Sequence, residues 1–320
     1  MHRYSYYKTA ACTLNVSIGD PQANKEEILK CIQELDSDTQ LVVFPELCVT
    51  GYTCQDLFYE HTLLNRAKQV LFEIVEELPE NLVTVLGLPL EIENKLYNCA
   101  AICFNHDILG IQVKTYIPSY NEFYETRWFS SASELKENTT FTYKDKKVPV
   151  SNHIVFKDTT TSACLGIEIC EDLWVTIPVS STHALAGANV LCNLSASNEI
   201  ISKANYRRNL VKDQSAKCYA GYVYASAGPA ESSSDLVFSG HNLICENGAI
   251  LSETKTDKII YGQIDLDHLN HDRLHYKTSM QDLFHVNYTT VEFTSKPIEE
   301  IEFDRYIDAY PFVPNNQDER

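Results

Sequence analysis

The chain has 320 residues, an apolar fraction of 44% and a formal net charge of −18. That length supports a substantial core in one or two domains, and the apolar share excludes a disordered chain. An acidic field of this size repels nucleic acid and anionic lipid, so neither is expected as a partner, and its plainest meaning is a solvated surface.

No stretch approaches the ~18 consecutive apolar residues of a membrane helix. The opening segment MHRYSYYKTAACTLNV has no apolar run ahead of a small-residue cleavage site. A soluble cytoplasmic protein is the expectation. Eleven cysteines, an odd number, lie mostly within apolar runs, as Cys12, Cys99, Cys103, Cys164 and Cys192 do. No CxxC pair or Cys/His spacing suggests zinc. They read as small core hydrophobes in a reducing compartment, with context left to single out any reactive one.

In chain order, Lys8–Val16 reads as a strand and Glu26–Leu35 as a helix, with Ile28, Cys31, Ile32 and Leu35 at helical spacing. Leu41–Phe44 is a short buried strand ended by Pro45. Asp56–Leu78 predicts one long amphipathic helix with a stripe through Leu63, Ala67, Val70, Ile74 and Leu78. Leu82–Leu88 is a strand, and Tyr97–Phe104 and Ile108–Val113 form a hairpin about Asn105-His106-Asp107. From Lys114 to about Val148 the chain reads as a loop region rich in aromatic and charged residues.

Ala163–Ile169 is a buried strand, Ser180–Gly187 a short helix and Val190–Leu194 another strand. Ala204–Cys218 is helical and Gly221–Ser226 extended. Leu236–Cys245 and Ile250–Ser252 flank Glu246-Asn247-Gly248, a hairpin signal. Periodicity fades from about Met280, and Phe303–Arg320, with Pro311 and Pro314, reads as an exposed linker or tail. No internal repeat or low-complexity segment is visible. Strand–helix alternation with added hairpins predicts an α/β sandwich, helices covering sheets with parallel and antiparallel pairs.

Three residues stand where chemistry could be done. Glu46 follows the apolar run Leu41–Pro45, and a carboxylate at the mouth of a buried strand is partly desolvated, which suits proton transfer. Taken alone it reads more simply as a loop carboxylate. Lys114 ends the run Ile108–Val113 and could stabilise an oxyanion, although most strand-end lysines point to water. Cys170 closes the run Ala163–Ile169, where a sharp exit could present its sulfur to a pocket; a core thiol is the plainer alternative.

Their company changes the weighing. The segments FPELCVTGYTCQDLF (44–58), KTYIPSYNEFYE (114–125), CEDLW (170–174) and NLSASN (193–198) together resemble the nitrilase superfamily of carbon-nitrogen hydrolases. The GY–DLF pattern and NEFYE point to its branch of glutaminase domains from glutamine-dependent NAD synthetases. The resemblance runs through GHNLI (240–244) to IDAYPFVP (307–314), which looks like that branch's connector into a synthetase domain. The division implied is a hydrolase domain over 1–302 and a connector over 303–320.

The resemblance implies an α-β-β-α sandwich, two mixed sheets flanked by helices, its four layers formed when two such domains pair. It implies a glutamine amidohydrolase in which Glu46 takes the thiol proton, Cys170 attacks the carboxamide carbon and Lys114 holds the oxyanion. Ammonia leaves, and water hydrolyses the thioester to free glutamate. By position, Tyr120 and Glu125 lie beside the site, Glu125 as a second, orienting carboxylate. Glu171, Trp174, Ser197 and Lys203 match positions that contact glutamine, so that Glu171 would meet its ammonium and Ser197 and Lys203 its carboxylate. Two residues depart from the pattern: Asn198 stands where the family often has proline, and Ser202 where it often has glycine.

The synthetase half of such enzymes carries an S-G-G-x-D-S loop for the pyrophosphate of ATP. Ser232-Ser233-Ser234-Asp235 lacks those glycines. No cofactor or metal is therefore expected in this domain, ATP and magnesium being implied only for an absent synthetase domain. The expected partners are glutamine, a synthetase domain or subunit, and further copies in a homo-oligomer. Two other readings stay open: an amidase of the superfamily acting on another small amide, and a non-catalytic interaction domain keeping the fold.

Overall fold

The computed structural model describes residues 5–281, 285–298, 301–307, 309, 310 and 313. In the first half, β1 (Tyr6–Cys12), α1 (Pro21–Gln33), β2 (Leu41–Val43), α2 (His61–Glu77), β3 (Val83–Ile92), β4 (Lys95–Phe104) and β5 (Asp107–Val113) follow in order. A short hairpin, β6 (Ser119–Tyr120) and β7 (Phe123–Tyr124), precedes β8 (Thr140–Tyr143) and β9 (Lys146–Ser151). The second half holds β10 (Ile154–Asp158), β11 (Cys164–Ile169), α3 (Val179–Leu185), β12 (Val190–Ser195), α4 (Lys203–Lys217) and β13 (Gly221–Ser226). Then come β14 (Asn242–Glu246), β15 (Ala249–Thr254), β16 (Ile259–Asp265), α5 (Leu266–His275) and β17 (Thr289–Phe293).

Two mixed sheets result, ordered β16-β1-β2-β3-β4-β5-β9-β8 and β15-β14-β13-β12-β11-β10-β17. Between them lies a core of inward residues such as Ala11, Val43, Val85, Ile102, Ile167, Cys192 and Val223. The outer face of the first sheet is covered by α1 and α2, whose Ile28, Ala67, Val70 and Ile74 pack on Val42, Leu86 and Ala101. On the second sheet Ala184 of α3 and Val211 of α4 pack against Leu191, Tyr222 and Leu243. The four layers therefore arise within this one chain, not by pairing of two domains: each sheet has two apolar faces, and the second covers the inner face of the first. The middle strands are buried on both sides, which is why β11 and β12 are mostly apolar without strict alternation, Glu168, Asn193 and Ser195 being the polar exceptions. All eleven cysteines are unpaired and buried.

Several elements differ from expectation. The long helix predicted over Asp56–Leu78 is broken: a 3₁₀ turn covers Tyr52–Tyr59, Glu60 is extended (φ −85°, ψ 112°), and α2 starts at His61. Here tertiary contacts override periodicity, because Asp56 accepts from Arg127 Nε at 2.7 Å and Trp128 Nε1 at 3.0 Å while Phe58 packs edge-on to Trp128 and Phe129. The region after Lys114 holds strands β6–β9 rather than only loop. The first strand ends at Cys12 rather than Val16, and the strand expected from Leu236 begins at Asn242, after Gly240 takes φ 65°.

The turn between β4 and β5 is a two-residue one, Asn105 (φ 48°) and His106 (φ 59°) both left-handed, so Asp107 already belongs to the strand. Past Met280, where periodicity fades, β17 adds a strand beside β10. The supposed tail is anchored in its described part: Arg305 donates to Glu246 Oε2 at 2.6 Å, and Phe303 packs edge-on to Tyr6. Pro311 and Pro314 lie outside the described residues. Among the described residues no helix is long and apolar enough to cross a membrane.

Candidate active site

Strand ends bring the site together. The chain leaving β2 continues through Phe44 and Pro45 to Glu46 and reverses at Leu47 (φ 51°). Gly87 of β3 permits this: a Cβ there would lie 2.5 Å from both the Leu47 nitrogen and the Pro45 oxygen. Lys114 directly follows β5, its N–H still bonded to the Asn98 carbonyl of β4 at 2.9 Å. Cys170 directly follows β11 and opens a 3₁₀ turn, Cys170–Leu173, with φ 44°. Ala196 and Ser197 follow β12 in the parallel neighbour.

Lys114 is fully buried and binds two carboxylates. Its Nζ lies 2.5 Å from Glu46 Oε1, and 2.9 and 2.8 Å from Glu125 Oε1 and Oε2. Asn98 Nδ2 donates to Glu46 Oε1 at 2.7 Å and the Ala196 N–H to Oε2 at 2.9 Å, so Glu46 is held from three sides. Tyr52 Oη donates to Glu125 at 2.8 Å. Burial opposes the charge of Lys114, yet Glu125 and Glu46 outweigh it and hold the ammonium well above the usual lysine range. Burial raises the Glu125 carboxyl against the pull of Lys114. Cys170 is buried, and burial followed by the Glu46 carboxylate pushes its thiol up, with Lys114 pulling the other way. A thiol so placed is protonated at rest and needs a base at the moment of attack.

Above this layer opens a pocket of about 370 Å³, lined among others by Tyr120, Cys170, Glu171, Trp174, Ser197 and Lys203. That is within the range of small-molecule sites. Tyr120 Oη donates to Glu171 at 2.8 Å. Burial raises the Glu171 carboxyl and lowers the Lys203 ammonium. Lys203 Nζ sits 5.1 Å from the Trp174 ring centroid, 5.6 Å from that of Phe123, and bonds Asn198 Oδ1. Ser202 takes φ 73° just before α4, the left-handed conformation that glycine adopts without penalty. The departures at Asn198 and Ser202 thus leave Lys203 at the pocket.

All nine residues expected from the sequence meet here, Glu46, Lys114 and Glu125 beneath and the other six on the wall. Others carried no local signal. Asn98 and Tyr52 orient the two carboxylates. Arg207, fully buried, donates to Ser197 Oγ through Nε at 3.3 Å and through its second terminal nitrogen at 3.1 Å. Asp172 binds backbone on both sides of the site. Among the described residues no group of three or more His, Cys, Asp or Glu is disposed to hold a metal ion.

Glu46, Lys114 and Cys170 thus meet as a buried constellation at the strand ends of an α-β-β-α sandwich. The chain belongs to the carbon-nitrogen hydrolase family, whose sequence profile matches residues 8–273. A glutamine-dependent NAD(+) synthetase from Mycobacterium tuberculosis is 35% identical over 326 residues, covering 98% of this chain and 48% of that protein. The crystal structure of a glutamine-dependent NAD(+) synthetase from Cytophaga hutchinsonii aligns with a TM-score of 0.72 at 29% identity, over 81% of this chain and 43% of that one. A carbon-nitrogen hydrolase from Helicobacter pylori shares the fold, with a TM-score of 0.69 at 17% identity over 89% and 98% of the two chains. This chain spans about half the length of the mycobacterial relatives it matches.

Proposed function

We propose that this chain hydrolyses glutamine to glutamate and ammonia through a thioester on Cys170. The ammonia would serve NAD formation from deamido-NAD and ATP in a synthetase domain or subunit. Glu46 takes the Sγ proton as sulfur attacks the carboxamide carbon, and Lys114 meets the oxyanion. A preorganised donor of this kind contributes about 10²–10³ in rate. Glu46 returns the proton to the departing amine, then draws one from the water that opens the thioester, and Cys170 regains its hydrogen as glutamate leaves. Glu125 keeps Lys114 charged and in place. No step in this sequence uses a cofactor; ATP and magnesium belong to the synthetase reaction.

The observation that carries the substrate is the pairing of opposite charges on the wall above Cys170. Glu171 and Lys203 line one pocket, which complements the ammonium and carboxylate of an α-amino acid. A simple aliphatic amide would leave both unused. The test is glutamate or carboxylate release from glutamine against propionamide and butyramide. Glutamine should be favoured in kcat/KM by about 10² or more, two charge-assisted contacts being worth ~1.5–3 kcal/mol each. Equal turnover of butyramide would overturn the reading.

A further inference from the structure

Asp172 is fully buried two residues after Cys170, and its carboxyl joins the two segments that bear the reacting groups. Oδ2 accepts from the N–H of Ile169, just before Cys170, at 3.1 Å. Oδ1 accepts from the N–H groups of Thr115 at 3.0 Å and Tyr116 at 2.9 Å, just after Lys114. One side chain thus spans the gap between the end of β11 in the second sheet and the end of β5 in the first. The turn it closes is strained, since Cys170 holds φ 44°. A left-handed non-glycine residue costs about 1–2 kcal/mol and persists only where its surroundings over-determine it.

We propose that Asp172 is a positioning residue for the reaction, stapling the Cys170 turn to the Lys114 strand so that nucleophile and oxyanion partner keep a fixed separation. This rests on the roles given above to Cys170 and Lys114. The staple needs acceptor atoms on both branches rather than charge. Burial pushes the carboxyl up to about 8, and even protonated it keeps a lone pair on each oxygen for these N–H groups. An asparagine cannot do the same, because its NH₂ would face at least one of the three N–H donors.

Asp158 provides the control. It too is buried and accepts backbone N–H groups, from Thr160 at 2.9 Å and Ser295 at 3.1 Å. Its own N–H bonds the Ala163 carbonyl, at the end of β11 away from Cys170.

The experiment compares Asp172→Asn, Asp158→Ala and unaltered protein by steady-state glutamine kinetics, thermal melting and the rate of Cys170 alkylation by iodoacetamide, followed by peptide mass. Asp172→Asn should lower kcat by ~10², the cost of misplacing reacting groups by about 1 Å. Its KM should stay within about threefold, with alkylation of Cys170 slowed about tenfold or more. Asp158→Ala, which strips Thr160 and Ser295 of their acceptor, should lower the melting temperature and leave kcat and alkylation unchanged. A folded Asp172→Asn protein with unchanged kcat and unchanged alkylation would overturn the staple. Should that variant not fold, hydrogen exchange in the unaltered protein decides: Thr115 and Tyr116 amides exchanging as fast as open loop would overturn it, and protected ones support it. If the unaltered protein leaves glutamine intact while Asp172→Asn still slows alkylation, the glutamine reading fails and the staple stands.

Discussion

Lys114 and Glu46 form a fully buried ion pair, Nζ to Oε1 2.5 Å, and the same ammonium also binds both oxygens of Glu125. The base and oxyanion partner proposed above are therefore one electrostatic unit, in which neither charge is tolerable without the other. Glu46→Gln should keep the fold and lose ~10²–10³ in kcat. Lys114→Ala should lose as much activity and also ~3–5 kcal/mol of stability, because two buried carboxylates are left uncompensated. Urea unfolding with glutaminase rates checks this; a Lys114→Ala protein as stable as the parent would contradict the coupling.

Glu171 and Ser197 lie on the wall, away from the carboxamide end of a glutamine aimed at Cys170. Their truncation to alanine should raise KM for glutamine about tenfold while kcat changes little, the signature of uniform binding. Ser197→Ala also strips Arg207 of its hydroxyl acceptor. Initial-rate kinetics showing lowered kcat at unchanged KM would assign these residues to the chemistry instead.

Ser202 carries a strained backbone for no visible side-chain return, as it makes no capping bond at the start of α4. Ser202→Gly should relieve about 1–2 kcal/mol of strain and give back ~0.5–1 kcal/mol in chain entropy. The expected outcome is a small rise in thermal midpoint with KM held within about twofold. A lower midpoint would mean that the serine side chain stabilises this turn.

His183 predicts the acid side of stability. Its Nε2 lies 2.7 Å from the Ile167 carbonyl and so carries the hydrogen, leaving Nδ1 buried without a partner. Burial pushes its pKa down to about 4 from 6.5. A depressed folded pKa gives stability that is present above 6.5 and lost as the pH falls toward 4, by ~3 kcal/mol in all. Unfolding free energy measured from pH 7 to 4 should fall accordingly, and His183→Gln, which can still donate to Ile167, should flatten that fall. Identical slopes for the two proteins would contradict it.

Where burial is two-sided, local pattern was enough to place the element: the run expected over Ala163–Ile169 is strand β11 from Cys164, and Gly221–Ser226 is strand β13, both apolar apart from Glu168 and Ser226. The hairpin joining β4 and β5 was legible too, although its turn is Asn105-His106 and Asp107, counted with the turn, is already strand. The break at Glu60 was not, because the 3₁₀ turn before it is bent by Arg127 and Trp128, some 70 residues away in the chain. Edge strand β17 alternates only weakly with one residue buried, so nothing local marks it. Glu46, Lys114 and Cys170 showed as residues at strand ends, and only the company of four motifs gave them roles. Arg207 and Asp172 stayed hidden because a charged residue in a polar helix or a charged turn ordinarily faces water; their burial depends on Ser197 and on the Lys114 strand, which no local pattern reveals.

The most direct measurement of the central claim is labelling by a diazo-ketone analogue of glutamine, read by peptide mass over all eleven cysteines. One adduct, on Cys170 alone, blocked by excess glutamine and absent from a folded Cys170→Ala protein that has lost glutamine turnover, is the predicted result. Label on another cysteine, or glutamine hydrolysis persisting in Cys170→Ala, would contradict the account.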